Sequence, residues 1–444
     1  MIQNVAHLLR ARRFLPIFVT QFLGAFNDNL FRTAMVMLVI YGIYGDATRE
    51  ATFSAIAGGL FILPFFLFSA LAGQLADAND KAMMIRVIKS VEIPIMIVGS
   101  AGLLIQNVPL LLIALFAMGI HSTFFGPIKY AILPQHLEAD EVLGGTGLVE
   151  AGTYVAILGG ILLGGVLVLE RPDGSFHADW AAVAVLIVAL AGRITAAFVP
   201  PAPPSDDAEM PGLPKRGMDW HVIRASITLV RATLHIRRLY LAILAISFFW
   251  AMGAVLAAQF PPLVKNSLGS DQGVATMFLG IFSIGVAIGS VLVNWLLKGK
   301  VAARYAPASA LAMGLFVLDL YRRVKGWPAD GGGELYTMAE FLRLPDGPWI
   351  VADLLGVAIA GGMFVVPLYA FMTITVPKSE TARTIAANNI VNSGFMVAST
   401  LILTVAVQVG VTVADTLLIV AVGSVLAAWL GWKLHKACDH AEGC

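Results

Sequence analysis

Twelve stretches of the 444-residue chain are each apolar for long enough to carry a helix across a bilayer, near 14–44, 52–75, 83–105, 108–132, 143–169, 178–199, 239–263, 273–297, 304–321, 349–376, 384–409 and 411–433. About 20 mostly apolar residues suffice for one crossing. Inside the hydrocarbon each segment must satisfy its own backbone N–H and C=O groups, so the sequence predicts an all-α membrane bundle. The charge content agrees: 13% of residues are Asp, Glu, Lys or Arg, where a soluble domain carries about 25%. A soluble enzyme is thereby excluded as the default. The 29 basic and 28 acidic residues leave a net charge of +1 and no basic surface for nucleic acid. Cys438 and Cys444 both lie at the chain end and offer neither a disulfide framework nor a Cys/His metal spacing, so no cofactor is expected.

Lys and Arg positions set the orientation. With a cytoplasmic N-terminus, Arg10, Arg12, Arg13, Lys81, Arg86, Lys89, Lys129 and the basic run from Lys215 to Arg238 fall inside. Far fewer fall outside: Arg49, Arg171, Lys265 and the group from Arg322 to Arg343. Both termini are then cytoplasmic, which an even number of spans requires. The first span is too long and too polar at its centre for a cleaved signal peptide. Residues 1–200 are expected to form one six-helix bundle and 238–436 another, with a polar external insertion near 322–348 and a cytoplasmic tail over 437–444. The linker, 201–237, begins Pro-rich and ends with Ile223, Ile227, Val230 and Leu234 at helical spacing beside Arg224, Arg231 and Arg238, the pattern of an amphipathic helix at the cytoplasmic membrane surface.

The two halves repeat each other. Thr146–Gly152 aligns with Asn388–Gly394, Pro127–Ala131 with Pro367–Ala370, and Gly73–Leu75 followed by Lys81 with Gly289–Val291 followed by Lys298. The offset grows along the chain by about two dozen residues, which matches the external insertion and is the mark of a transporter built from repeated bundles. Glycines in span five (Gly159, Gly160, Gly164, Gly165) and span eight (Gly280, Gly285, Gly289) suit close helix contacts.

The few charges inside the spans carry the functional reading, because a buried ionisable group in a membrane is expensive. Asn27-Asp28-Asn29 lies mid-way along span one, with Arg32 one turn on, and reads as a substrate or ion site; an Asp28–Arg32 helix pair is the plainer alternative. Glu150 and its repeat partner Asn392 occupy equivalent places in the two halves, with Asn389 nearby. Lys129 follows Pro127, which is expected to break span four, and faces either the interior or the cytoplasmic headgroups. His121 reads first as a satisfied core histidine and second as a proton relay. Arg86, Lys89 and Glu92 read as a charge ladder along span three. Gly73, Asp77 and Lys81, in the loop after span two, resemble the Gly-x-Leu-Ala-Asp loop signature of the major facilitator superfamily, where the Asp caps a helix end and pairs with cations that lock one conformation.

Gln21–Asn29, Gly126–Leu133, Gly147–Ala151, Phe248–Trp250 and Gly361–Leu368 together resemble the bacterial lysophospholipid transporter family of that superfamily. The resemblance implies two pseudo-symmetric six-helix bundles in the bacterial inner membrane and a flippase. It would move lysophosphatidylethanolamine-type lipids from the outer to the inner leaflet by alternating access. It also implies that Asp28 and Lys129 contact headgroup or coupling ion; from the residues themselves, the headgroup is expected to lie against Asn27, Asp28, Asn29, Lys129, Glu150, Asn389 and Asn392. The coupling ion would be sodium or a proton. The chain departs from the family at Ala257 and Asn392, where an arginine and a carboxylate are expected. Some relatives are fused to an acyltransferase and an acyl-carrier-protein synthetase; here no His-x4-Asp acyltransferase pair occurs, so such an enzyme would be a separate partner. The rival readings are a facilitator-type exporter of small organic compounds or drugs, and a membrane-embedded lipid enzyme, which the lack of a nucleophile–base pair disfavours.

Overall fold

Each apolar stretch becomes one helix: α1 (Leu15–Met37), α2 (Ala47–Ala78), α3 (Lys81–Leu104), α4 (Val108–Ala131), α5 (Val142–Val166), α6 (Asp179–Ala197), α7 (Arg237–Asn266), α8 (Gln272–Leu296), α9 (Ala306–Lys325), α10 (Gly347–Ile374), α11 (Lys378–Gln408) and α12 (Leu417–Asp439). The structure is a computed structural model that describes residues 7–138, 141–171, 174–203, 221–297, 303–328, 335–374 and 378–439. Among the described residues, nine of these helices are long and apolar enough to cross a membrane. The other three have local reasons to fall short. Polar side chains from Gln21 to Arg32 dilute α1, the described apolar part of α5 is Gly152–Val166, and α9 ends in Arg322, Arg323 and Lys325. The chain is a multi-pass membrane protein.

Contacts divide it into two units, Met1–Gly42 with Leu67–Ser226, and Ile43–Phe66 with Ile227–Cys444, so α2 is shared between them. In the first unit α1 packs on α5 and α6, and α3 packs on α4 and α6. In the second, α7 packs on α11 and α12, and α9 packs on α10 and α12. These four pairings recur with each helix advanced by six, which is the sequence repeat expressed as packing, and in the second unit α8 also packs on α10. Glycine makes the closest crossings possible. A Cβ on Gly164 of α5 would lie 2.6 Å from the Leu30 carbonyl oxygen of α1, and one on Gly160 would collide with the Phe26 carbonyl. Phe14, Phe18, Phe22 and Phe26, one per turn of α1, form a ladder with ring centroids 5.9, 6.3 and 6.4 Å apart. Gly152 and Gly159 of α5 leave room for its rings.

Prolines shape the second unit. Pro261 and Pro262 lie inside α7 and lack the N–H groups that would take up the carbonyls of Ala257 and Ala258. In a membrane a freed carbonyl needs another donor, and the Ser54 hydroxyl of α2 supplies one to Ala258. Beside it Gln259 Nε2 donates to the Ala51 carbonyl, and Glu50 accepts from Lys265 Nζ at 2.6 Å and Asn266 Nδ2 at 2.7 Å.

Several local expectations are corrected. The segment read as a loop after span two is helical through Ala78, so Gly73 and Asp77 belong to the last turns of α2. Asn79 Nδ2 ends the helix by donating to the Leu75 carbonyl. The cap falls to Asp80, whose carboxylate accepts from Met83 N and Ala202 N at the start of α3. Pro127 does not break α4, which continues to Ala131. Residues 322–325 extend α9, and the described part of the insertion is packed: Trp327 and Phe341 are buried with ring centroids 5.1 Å apart. Trp327 Nε1 donates to the Leu268 carbonyl, and Tyr336 exchanges backbone hydrogen bonds with Gly269 and Asp271. The glycine run hides these two aromatic anchors from a reading by composition. Helix α12 extends to Asp439, into the stretch read as tail. Residues 204–220 of the linker and 329–334 of the insertion lie outside the described residues. The linker's end forms a helix, Val222–Leu234, on which, among the described residues, Ser226 and Thr233 are buried and Ile223, Ile227, Arg224 and Arg231 are exposed.

At the N-terminus, Glu141 before α5 accepts from Glu138 N, from Arg13 Nη2 at 2.8 Å and faces His7 Nε2 at 3.2 Å. The Glu138 amide, then Arg13 and His7, hold this carboxyl below the ordinary glutamate range. A depressed carboxyl stabilises the fold above its ordinary value and loses that contribution as pH falls through the folded value. Acidification through the carboxylate range should therefore speed hydrogen exchange in residues 7–14 of the wild type, and Glu141→Gln should already exchange fast at neutral pH.

Candidate functional site

Helix α1 presents its polar triplet in three directions because successive residues turn by about 100°. Asn27 is fully buried against α3 and donates through Nδ2 to Glu92 Oε1 at 2.8 Å. Asp28 faces α4 and accepts from the Ser122 hydroxyl at 2.5 Å. Asn29 donates to the Ala25 carbonyl of its own helix and accepts from Arg32 Nη2 at 2.9 Å, which orients the guanidinium. Asn27 Oδ1 and Asp28 Oδ1 are buried and, among the described residues, have no hydrogen-bond partner. An unpaired amide oxygen and an unpaired carboxylate oxygen are costly in an apolar surrounding, and both accept hydrogen bonds or cations.

Glu92 makes this part of the first unit a hub. Its Oε2 accepts from Lys89 Nζ at 2.6 Å, and His121 Nε2 of α4 lies 3.5 Å from the same oxygen. Lys89 is 0% exposed and Glu92 1%. The lysine stem passes between α1 and α6: a Cβ on Gly24 would come within 2.7 Å of Nζ, Gly192 borders its Cδ, and Nζ lies 5.4 Å from the centre of the Phe125 ring. The reading of Arg86, Lys89 and Glu92 as one charge ladder along span three is thus only partly met. Lys89 and Glu92 do pair within α3, but in the core of the unit, while Arg86 bonds the Ala82 carbonyl one turn back. His121 is buried, yet both ring nitrogens lack a hydrogen-bond partner among the described residues, so it is not a satisfied core histidine.

The second unit has its own polar set. Asn392 of α11 accepts from the Ser247 hydroxyl of α7 at 2.7 Å and donates to the Tyr369 hydroxyl of α10 at 3.3 Å, and Tyr369 also accepts from Trp250 Nε1. One turn before it, Asn388 is 0% exposed with neither amide atom paired among the described residues, whereas Asn389 is exposed. The two asparagines are indistinguishable in sequence; only the helix phase separates them. Ala257, on α7, contributes no side-chain polarity to this set.

Of the remaining candidates, Lys129 is partly buried in the last turn of α4. Lys81 is buried at the first turn of α3, and its N–H donates to the Ala202 carbonyl. A Cβ on Gly73 would meet open space. The side chains of Glu150 and Asp77 lie outside the described residues. Among the described residues no three His, Cys, Asp or Glu side chains come together as a metal-binding group. Lys89, Glu92, Ser122 and Asn388 were the partners missed. An acid three residues after a lysine, more than two turns inside an apolar span, was the available signal for the first two.

The chain is 26% identical over 408 residues to the lysophospholipid transporter LplT of Citrobacter koseri, covering 90% of this chain and 89% of that one. LplT of Salmonella newport gives the same identity over 406 residues, covering 89% and 88%. Among solved structures, the POT family transporter PepTSo superposes with a TM-score of 0.71 at 13% identity, covering 97% of this chain and 99% of that one, which shows a shared fold. Residues 17–400 match the Major Facilitator Superfamily, and the chain belongs to that superfamily.

Proposed function

We propose that the protein transports lysophospholipids of the lysophosphatidylethanolamine type across the bacterial inner membrane by alternating access, from the outer to the inner leaflet, with both termini cytoplasmic. The Asp28 carboxylate, with one oxygen held by Ser122 and the other buried and unpaired among the described residues, is the observation that carries the reading. An ethanolamine ammonium supplies what that oxygen lacks, and the guanidinium of Arg32, oriented by Asn29 one turn further on, offers N–H groups to a phosphate. Most of the cost of moving such a lipid lies in desolvating its headgroup. A polar site inside an otherwise apolar unit offsets that cost while the acyl chain stays on apolar helix faces. The similarity to LplT over nine-tenths of the chain supports the substrate class. Re-esterification of the delivered lipid would fall to a separate acyltransferase.

The test is reconstitution into vesicles and measurement of labelled lysophosphatidylethanolamine transfer between leaflets, with and without Asp28→Ala. Losing one charge-assisted contact of about 1.5–3 kcal/mol should slow transfer by about ten- to hundredfold. Transfer no faster than in empty vesicles would overturn the flippase reading, chemical conversion of the lipid would point to an enzyme, and unimpaired transfer by a folded Asp28→Ala would overturn the site.

A further inference from the structure

We propose that His121 and Glu92 form a proton-binding site inside the first unit, linked to the headgroup site through Asn27, so that proton loading and lipid binding share one hydrogen-bond network. The inference rests on geometry. His121 is 6% exposed with both ring nitrogens unpartnered among the described residues, and its Nε2 points at Glu92 Oε2 from 3.5 Å, too far for a hydrogen bond. Lys89 already holds that oxygen at 2.6 Å. The ion pair is thus balanced in charge and stands beside an imidazole with no hydrogen bond among the described residues.

A proton entering the site adds to the free ring nitrogen of His121, and no other bond forms or breaks; on release it leaves from the same ring. The imidazolium donates from both nitrogens, and its Nε2–H competes with Lys89 for Glu92 Oε2. The groups facing His121 are Glu92 and Lys89 on α3. Beyond Asn27, Asp28 on α1 has Glu92, Lys89 and Arg32 as its charged neighbours. Farther along α4 itself lies Lys129, and α6 meets Lys89 with Gly192. Within the set Asp28, Arg32, Lys89 and Glu92 the formal charges cancel, so one added proton leaves a single positive charge that a second anionic group would balance. A lipid phosphate is such a group.

Two mechanical links carry the coupling. Lys89 is wedged between Gly24 of α1 and Gly192 of α6, so displacing its ammonium disturbs the packing of three helices. Glu92 Oε1 holds Asn27 at 2.8 Å, the residue next to Asp28, so any shift of the carboxylate reaches the headgroup site. A proton thus biases both the helix arrangement and the lipid contacts, the two requirements for coupling.

The transport arm of the test relies on the lysophospholipid reading and a second arm does not. In vesicles, a pH gradient of about one unit should raise steady-state lipid accumulation by up to about tenfold, the limit for one proton per lipid. His121→Gln should bring the ratio of accumulation with and without the gradient to one; because the readout is a ratio, a slower variant still reports. In the second arm, spin labels placed one in each unit of the lipid-free protein report the distance distribution between about pH 4 and pH 8, a range extended downward because burial disfavours the imidazolium. The wild type should change population with pH, and His121→Gln and Glu92→Gln should not. Gradient dependence that survives in His121→Gln, transport that follows sodium and not pH, or populations that respond to pH equally in all three proteins would overturn the proposal. If the wild type moves no lysophospholipid, the substrate reading fails and the distance measurement alone decides the proton site.

Discussion

Lys89→Met should lower the yield of folded protein sharply, with a loss of about 3–5 kcal/mol of stability, the usual consequence of removing one member of a buried ion pair. The reason lies in what stays behind. Glu92 would keep the Asn27 amide but lose the ammonium at 2.6 Å, and at 1% exposure it has no route to water. The methionine fits the lysine's stem between Gly24, Gly192 and Phe125, so the effect isolates charge from volume. Lys89→Met combined with Glu92→Gln should recover most of the loss. The glutamine oxygen still accepts from Asn27 and no unpaired charge remains. Thermal unfolding of the three detergent-solubilised proteins checks this. A double variant as unstable as Lys89→Met would mean that the lysine acts through packing and hydrogen bonding, not by neutralising Glu92.

The same cluster shows where reading the sequence stops. Span positions were legible because apolar runs need no knowledge of partners: all twelve became helices, and the repeat of Thr146–Gly152 in Asn388–Gly394 reappears in the matching pairs α1–α5 and α7–α11. Asp28 was legible because a carboxylate at mid-span stands alone. Lys89 and Glu92 were not, since their three-residue spacing fits a ladder on an exposed helix face as well as a pair aimed at α1 and α4. The choice between Asn388 and Asn389 turns on helix phase, which is fixed by how α11 docks on α7 and not by local sequence. Asp80 replaced Asp77 as the capping residue because α2 runs one turn longer than the loop signature implies. The misses at Lys89, Glu92 and Asn388 concern which face of a correctly placed helix a residue occupies, whereas those at Asp80, Pro127 and residues 322–325 concern where a helix ends.

Lys265→Met should cost more stability than Glu50→Gln, although both break the same ion pair. Glu50 is 1% exposed, while the Lys265 side chain is 18% exposed. Removing the lysine strands a buried carboxylate with Asn266 Nδ2 as its remaining strong donor, at 2.7 Å. Removing the charge of Glu50 leaves an ammonium that still donates to the Tyr44 carbonyl at 3.2 Å and reaches solvent, and the new glutamine can still accept from Asn266. By the cost of a stranded buried charge, Lys265→Met should lose about 3 kcal/mol, and Glu50→Gln about 1 kcal/mol, the worth of an ordinary hydrogen bond. The damage should be local first. The pair, the Gln259–Ala51 bond and the Ser54 hydroxyl on the proline-freed Ala258 carbonyl together hold the start of α2 to α7. Hydrogen exchange in Lys265→Met should therefore rise in residues 47–66 before it rises in α9 or α12. Equal melting temperatures for the two variants would show that Glu50 reaches water more freely than its burial allows, and the clamp on α2 would then rest on Ser54 and Gln259.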